Sequence, residues 1–260
     1  MEWANIIAGL GVGLLVGLTG VGGGSLMTPI LVLLFGVAPA AAVGTDLWFA
    51  ATTKMVGGTL HHARRSIDWQ VLRRLWLGSL PAALATLAWL SASGMGQTKN
   101  GLILKALGIV LLLTAVAMLL KKRLHALGQH LRGTEPDRFK RAQAPLTVLA
   151  GALLGFLVTL TSVGAGALGT VMLVYLYPRR LTPARLVGTD IVHAIPLTVL
   201  AGSGHALMGN VDLSLLGWLL LGSVPGVLIG SHFSTRAPEA FVRPAIALVL
   251  TLVGLKLVTS

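Results

Sequence analysis

Apolar runs, broken by short polar turns, fill this chain almost from end to end. Ten can be drawn: 4–19, 25–36, 43–60, 69–91 and 101–120 in the first half, then 145–162, 165–177, 183–204, 213–232 and 239–257 in the second. Several approach the roughly 20 residues that an α-helix needs to cross a bilayer, so the pattern predicts an all-α polytopic membrane protein. One long polar stretch, 121–144, separates the two groups and carries Lys121, Lys122, Arg123, Arg132, Arg138, Lys140 and Arg141. It reads as a basic cytoplasmic linker between a transmembrane repeat at 1–120 and another at 145–260. The first two segments of each repeat are short and are interrupted by a Gly-rich loop.

The division into repeats rests on residues as well as on length. Val43-Gly44-Thr45-Asp46 returns 144 residues later as Val187-Gly188-Thr189-Asp190. In the same register His61 meets His205, Asp68 meets Asp212, and Gly78-Ser79-x-Pro81 meets Gly222-Ser223-x-Pro225. Thr19-Gly20-Val21-Gly22-Gly23-Gly24 likewise matches Thr161-Ser162-Val163-Gly164-Ala165-Gly166 at a separation of 142. Duplicated halves in a hydrophobic chain are the mark of secondary transporters built from internal repeats. Lys and Arg gather around 64–74, in the linker, at 179–185 and at 236–243, whereas 37–42, 92–100 and 205–212 hold only Lys99. Basic loops stay cytoplasmic, which places both termini outside and puts loop 61–68 and its repeat partner 205–212 on opposite faces. The halves are therefore expected to be inverted relative to one another, with an odd number of crossings each: five spans, or three plus a re-entrant pair.

Composition narrows the class. With 55% apolar and 11% charged residues among 260, nearly the whole chain is consumed by spans and no separate soluble catalytic domain fits. A formal charge of +12 raises nucleic acid as a partner, but the basic residues lie in short loops where orientation signals belong. The lipid bilayer, not nucleic acid, is the expected surrounding. The absence of cysteine removes disulfides, thiol nucleophiles and Cys-ligated metals, and His125 and His130 lack companions of ligand type, so neither metal nor cofactor is expected. An intramembrane enzyme would need a nucleophile with its base; no Ser–His or His-Glu-x-x-His arrangement stands out.

The candidate chemistry lies in the glycine loops and in the few charges inside apolar segments. Irregular backbone at membrane depth is tolerated only where protein or a water-filled cavity satisfies it. Gly22, Gly23, Gly24 and Ser25, with Gly164 and Gly166 opposite, could turn their amides, together with the positive end of the following helix, toward an anion; close packing of small residues is the alternative. Charges in spans are functional candidates by default. Lys54 lies about 12 Å along a helix and roughly 80° around it from Asp46, and its repeat partner is Thr198, so it is the asymmetric member. His193 follows Asp190 by three residues, on the same helix face. Asp46, Asp190 and His193 are candidates for proton coupling, and Thr45, Thr189 and Lys54 for substrate binding; the alternative for each Asp is a helix cap. Asp68 and Asp212 read as caps of the fourth and ninth segments, Pro81 and Pro225 as kinks, and His61 and His205 as interfacial.

One set of motifs resembles a known family. Gly20-x-Gly22-Gly23-Gly24-x-Leu26-x-x-Pro29, then Gly44-Thr45, then Gly57-Gly58 through His61-x-x-Arg64-Arg65-x-Ile67-Asp68-Trp69, is similar to the sulfite exporter TauE/SafE family, the toluene-sulfonate uptake permease group. The resemblance covers both halves. It implies a bacterial or archaeal inner-membrane transporter for small sulfur-containing anions such as sulfite, thiosulfate, sulfonates or sulfoacetate-like compounds. The second glycine motif departs from the pattern at Ala165 and Val171, so the two half-sites need not contribute equally. The expectation is thus a secondary transporter that moves such an anion by alternating access with proton coupling. The rival is a transporter or channel for another small oxyanion, or for a cation held by Asp46 and Asp190.

Overall fold

The computed structural model describes residues 2–19, 24–63, 66–93, 100–134, 136–233 and 239–259. Among them are ten α-helices and no strand: α1 (Glu2–Thr19), α2 (Gly24–Leu33), α3 (Pro39–Ala63), α4 (Trp69–Ser93), α5 (Asn100–Thr134), α6 (Pro136–Thr161), α7 (Ala167–Leu176), α8 (Pro183–Leu207), α9 (Leu213–Phe233) and α10 (Glu239–Thr259). Five of them, α4, α5, α6, α8 and α9, contain described stretches long and apolar enough to cross a membrane. The ten-residue α2 and α7 reach only about 15 Å, half of a hydrocarbon core roughly 30 Å thick. Residues 121–144 are helical except at Glu135, which lies outside the described residues; they form the C-terminal turns of α5 and the first turns of α6. At 35 residues, α5 runs about 52 Å, longer than any bilayer core.

Helix starts follow from the chain's own chemistry. Proline at the first helical position costs no hydrogen bond and presets φ, and α3 and α8 begin on Pro39 and Pro183. Asp68 Oδ1 accepts from Val71 N at 3.2 Å and Asp212 Oδ1 from Leu215 N at 2.9 Å, capping α4 and α9 as read from the sequence. Asp46 and Asp190 do not cap. Their helices begin a full two turns upstream, so both carboxylates sit in helix interiors. Pro81 and Pro225 lie within continuous helices, on exposed positions.

The two halves interlock element by element. The first helix of each packs along the fourth of the other, α1 on α9 and α6 on α4; the third helices α3 and α8 pack on each other, and so do the fifth, α5 and α10. Backbones close to contact in the first two pairs because glycines stand where side chains would collide. A Cβ on Gly9, Gly13 or Gly17 of α1 would strike the carbonyls of Leu219, Ser223 and Val227 on α9, and Gly222, Gly226 and Gly230 meet α1 in the same way. Gly78 on α4 and Gly151 and Gly155 on α6 repeat the arrangement. Small residues spaced by four are how membrane helices approach closely enough to gain dispersion energy. At the centre, Val43 and Leu47 of α3 pack on Ala194, Leu197 and Ala201 of α8 with no exposure of consequence.

Candidate functional site

The repeated Val-Gly-Thr-Asp motif builds the centre of the bundle. Gly44 and Gly188 each let their helix press against the entry to a helix of the opposite half, at Asn210 O and Ser66 O. The next residue fastens the contact. Thr45 Oγ1 accepts from Asp212 N at 3.0 Å, and Thr189 Oγ1 accepts from Asp68 N at 2.9 Å. Both threonine hydroxyl oxygens therefore hold the start of the opposing fourth helix.

The third residue points inward. Asp46 is completely buried; its Oδ2 accepts from Thr28 N at 3.2 Å and from the Thr28 hydroxyl. Thr28 lies in α2, so this carboxylate ties a short helix to α3. The Ser162 side chain and the Lys54 ammonium face the same carboxylate. Lys54 retains only 4% of its exposure, and its Nζ donates to Ala165 O at 3.1 Å. That carbonyl belongs to the unwound segment between α6 and α7, where Ser162, Gly164 and Gly166 have φ of 59°, 122° and 130°. Glycine adopts such angles freely; Ser162 is a true left-handed residue, held although its side chain disfavours it. Helix α7 begins at Ala167, and the unwound segment accepts from its first turn: Gly169 N donates to Gly164 O and Thr170 N to Gly166 O, each at 3.2 Å. Thr170 turns its hydroxyl to Gly166 O.

Asp190 lies across from Lys54, 2% exposed, with Lys54 and Lys121 as its electrostatic neighbours. Its Oδ1 is buried without a hydrogen-bond partner, as is Asp46 Oδ1. His193, fully buried, places Nε2 3.0 Å from Ser79 Oγ, while Trp76 Nε1 donates to its backbone carbonyl at 3.2 Å. A Ser–His pair thus forms between α4 and α8, invisible in sequence because 114 residues separate the partners. It lacks the orienting member of a hydrolytic triad, since His193 Nδ1 has no partner among the described residues. His205 is buried rather than interfacial: its Nε2 meets Thr159 O at 2.9 Å, because α8 continues to Leu207 and carries the ring inside.

The structure therefore brings Lys54, Asp46, Asp190, His193 and the Gly164–Gly166 segment to one buried centre. Gly22 and Gly23 lie outside the described residues; Gly24 and Ser25 open α2, and their side-chain environment lies outside as well. Thr28, Ser79, Ser162, Gly169 and the Ala165 carbonyl also belong to this centre. Only a repeat alignment carried four residues past each glycine run, to Thr28 and Thr170, would have drawn attention to the first of them.

Short helices joined to unwound backbone recur at the binding centres of secondary transporters, and here they surround a buried lysine and two carboxylates. The family model described as sulfite exporter TauE/SafE matches residues 5–257. The chain belongs to this family. Relatives agree in class. A probable membrane transporter protein, YjnA, of Bacillus subtilis is 39% identical, with 99% of this chain and 100% of the relative covered. A second from the same organism, YdhB, is 25% identical over 94% and 95% of the two chains. One from Methanocaldococcus jannaschii, MJ0441, is 26% identical over 80% and 73%. No solved structure matches. The protein is a multi-pass TauE/SafE membrane transporter, not an enzyme.

On the face where α4 begins, a second polar network ties the halves together. Arg180 donates from Nε to Asp68 Oδ2 at 2.7 Å, from Nη2 to Asp68 Oδ1 at 2.9 Å and to Gln70 Oε1 at 2.8 Å. Arg74 Nη1 donates to Tyr177 Oη at 3.0 Å, and the Arg180 guanidinium lies 5.9 Å from the Tyr177 ring centre. Burial pushes the Asp68 carboxyl up, but the hydrogen bonds and charge of Arg180, with the Val71 amide, outweigh it and hold the group below its ordinary range.

Proposed function

We propose that this transporter moves a small sulfur-containing anion, such as sulfite, thiosulfate, a sulfonate or sulfoacetate, by alternating access between two inverted repeats, coupled to protons. The Lys54 ammonium against the Ala165 carbonyl is the observation that carries this reading. A cation buried beside an unwound segment gains by exchanging a neutral carbonyl for an oxyanion, because a full negative charge on the acceptor adds Coulomb attraction to a hydrogen bond whose donor is already charged. Gly164 and Gly166, with Gly22, Gly23, Gly24 and Ser25 from the other half, supply amide donors around the anion. Thr45 and Thr189 act from behind, holding the helices that carry the aspartates. Asp46, Asp190 and His193 are the groups that exchange the coupling proton. The reciprocal packing of first on fourth helices accords with a two-fold-related pair of repeats, which supports rocking of one half against the other. The family supports a cytoplasmic-membrane location, and the basic loops support an orientation with both termini outside.

The test is a flux screen in proteoliposomes with sulfite, sulfate, thiosulfate, sulfoacetate and taurine, each with and without an imposed pH gradient. Saturable flux of one sulfur anion, accelerated by the gradient, is expected; silence across the panel would overturn the substrate class. The unpartnered Oδ1 atoms of Asp46 and Asp190 favour a second reading, transport of a cation. Loss of cation-stimulated flux in the Asp46→Asn, Asp190→Asn double variant would select it.

A further inference from the structure

We propose that Asp190, and not Asp46, is the carboxylate that takes up and gives back the coupling proton, and that Asp46 is a positioning residue that fastens α2 to α3. The inference rests on the proton-coupled reading above and divides its labour. Both donors of Thr28, its N–H and its hydroxyl, are committed to Asp46 Oδ2. Asp46 Oδ1 is unpartnered too, but a proton on either oxygen of Asp46 neutralises the acceptor of both Thr28 bonds and loosens the short helix. Asp190 has no such tie. Its Oδ1 is buried and unpartnered, and the room in front of it exists because Gly169 on α7 has no side chain; a Cβ there would overlap Oδ1. The position aligned with Gly169 in the first half is Met27, and Thr170, the counterpart of Thr28, spends its hydroxyl on Gly166 O.

The charged groups that face Asp190 are Lys54 from α3 and Lys121 from α5. The neighbouring α4 presents Ser79 to His193, three residues along α8 from Asp190, and α7 presents Gly169. With Lys54 cationic and both aspartates ionised, the three central side chains carry one net negative charge, which opposes an incoming anion. A proton on Asp190 cancels that charge without breaking any hydrogen bond described for it. Anion and proton therefore enter together and leave together, the carboxylic acid returning to carboxylate as the anion departs.

Infrared difference spectroscopy of the full chain in liposomes, recorded between acidic and alkaline buffer, tests this directly. The wild type is expected to show a titrating carboxylic C=O stretch that remains in Asp46→Asn, disappears in Asp190→Asn and returns in Asp190→Glu. Gly169→Ala should shift the band, since it crowds Oδ1. A band that persists in Asp190→Asn, that vanishes in Asp46→Asn, or that is absent from the wild type would overturn the assignment. Sulfite flux measured on the same liposomes separates the two layers of the argument. The expected bands without sulfite flux refute the substrate reading and leave Asp190 in place, whereas flux with the wrong band pattern refutes Asp190 alone.

Discussion

The two copies of Val-Gly-Thr-Asp begin alike and end differently. Gly44 and Gly188 meet opposing backbone in the same way, and Thr45 and Thr189 hold Asp212 N and Asp68 N at nearly equal distances. The aspartates then part: each has an unpartnered Oδ1, but Asp46 is pinned through Oδ2 by Thr28, whereas Asp190 has no described hydrogen bond and faces Gly169 and Lys54. Duplication has been kept where it fixes the approach of backbones, which both halves need. It has been released where charge is handled; on the proposed mechanism, one centre shared by two halves needs one cation and one exchangeable proton rather than two of each. Lys54 facing Thr198 across the repeat is the same divergence; Thr198 merely bonds its own helix at Ala194 O.

The widest split is expected between the aspartates themselves. Asp46→Asn weakens two charge-assisted bonds and should cost about 2–3 kcal/mol in thermal unfolding in detergent; Asp190→Asn should lie within about 1 kcal/mol of wild type because no hydrogen bond is lost. Equal costs would remove the distinction. Next come Gly44→Ala and Gly188→Ala, each forcing a methyl into opposing backbone at about 1–3 kcal/mol, and each matching the other. Thr45→Val and Thr189→Val should again match, near 1 kcal/mol apiece for one buried hydrogen bond; a large difference would deny that the two latches are equivalent.

The smallest effect is on the face where α4 begins. Asp68→Asn breaks the pair with the half-exposed Arg180 and should cost about 1 kcal/mol, whereas Asp212→Asn, in a position with no described arginine partner, should cost less. Asp68 has a folded value held below its ordinary 3.8. Its stabilisation is therefore complete above that ordinary value and disappears as pH falls through the lower folded one. Acid unfolding below about pH 4 should flatten in Asp68→Asn, and unchanged acid sensitivity would remove Arg180 from the account.

Much of this architecture could be read from the chain. Apolar runs gave the helices, the offset of Asp46 to Asp190 gave the halves, and the caps at Asp68 and Asp212 followed from side-chain chemistry. The start of α3 was misplaced because Pro39, a good first-turn residue, stands outside the run drawn at 43–60, and this made Asp46 look like a cap; the run at 183–204 begins on Pro183 as α8 does, which already places Asp190 inside its helix. The partners of the central charges were hidden for another reason. Lys54 and Ala165, or His193 and Ser79, meet only through tertiary packing of small residues, and no spacing along the sequence encodes such a meeting. The glycines at 9, 13 and 17 did carry a signal, a spacing of four, which apolar runs alone obscure.

The central claim, that a buried lysine at the meeting of two half-helices binds the transported anion, is tested most directly by sulfite flux through wild type and Lys54→Ala in matched proteoliposomes. The account predicts saturable, pH-gradient-driven flux in the wild type and its loss in a variant that still inserts and unfolds cooperatively. Wild-type flux through a folded Lys54→Ala protein would contradict it.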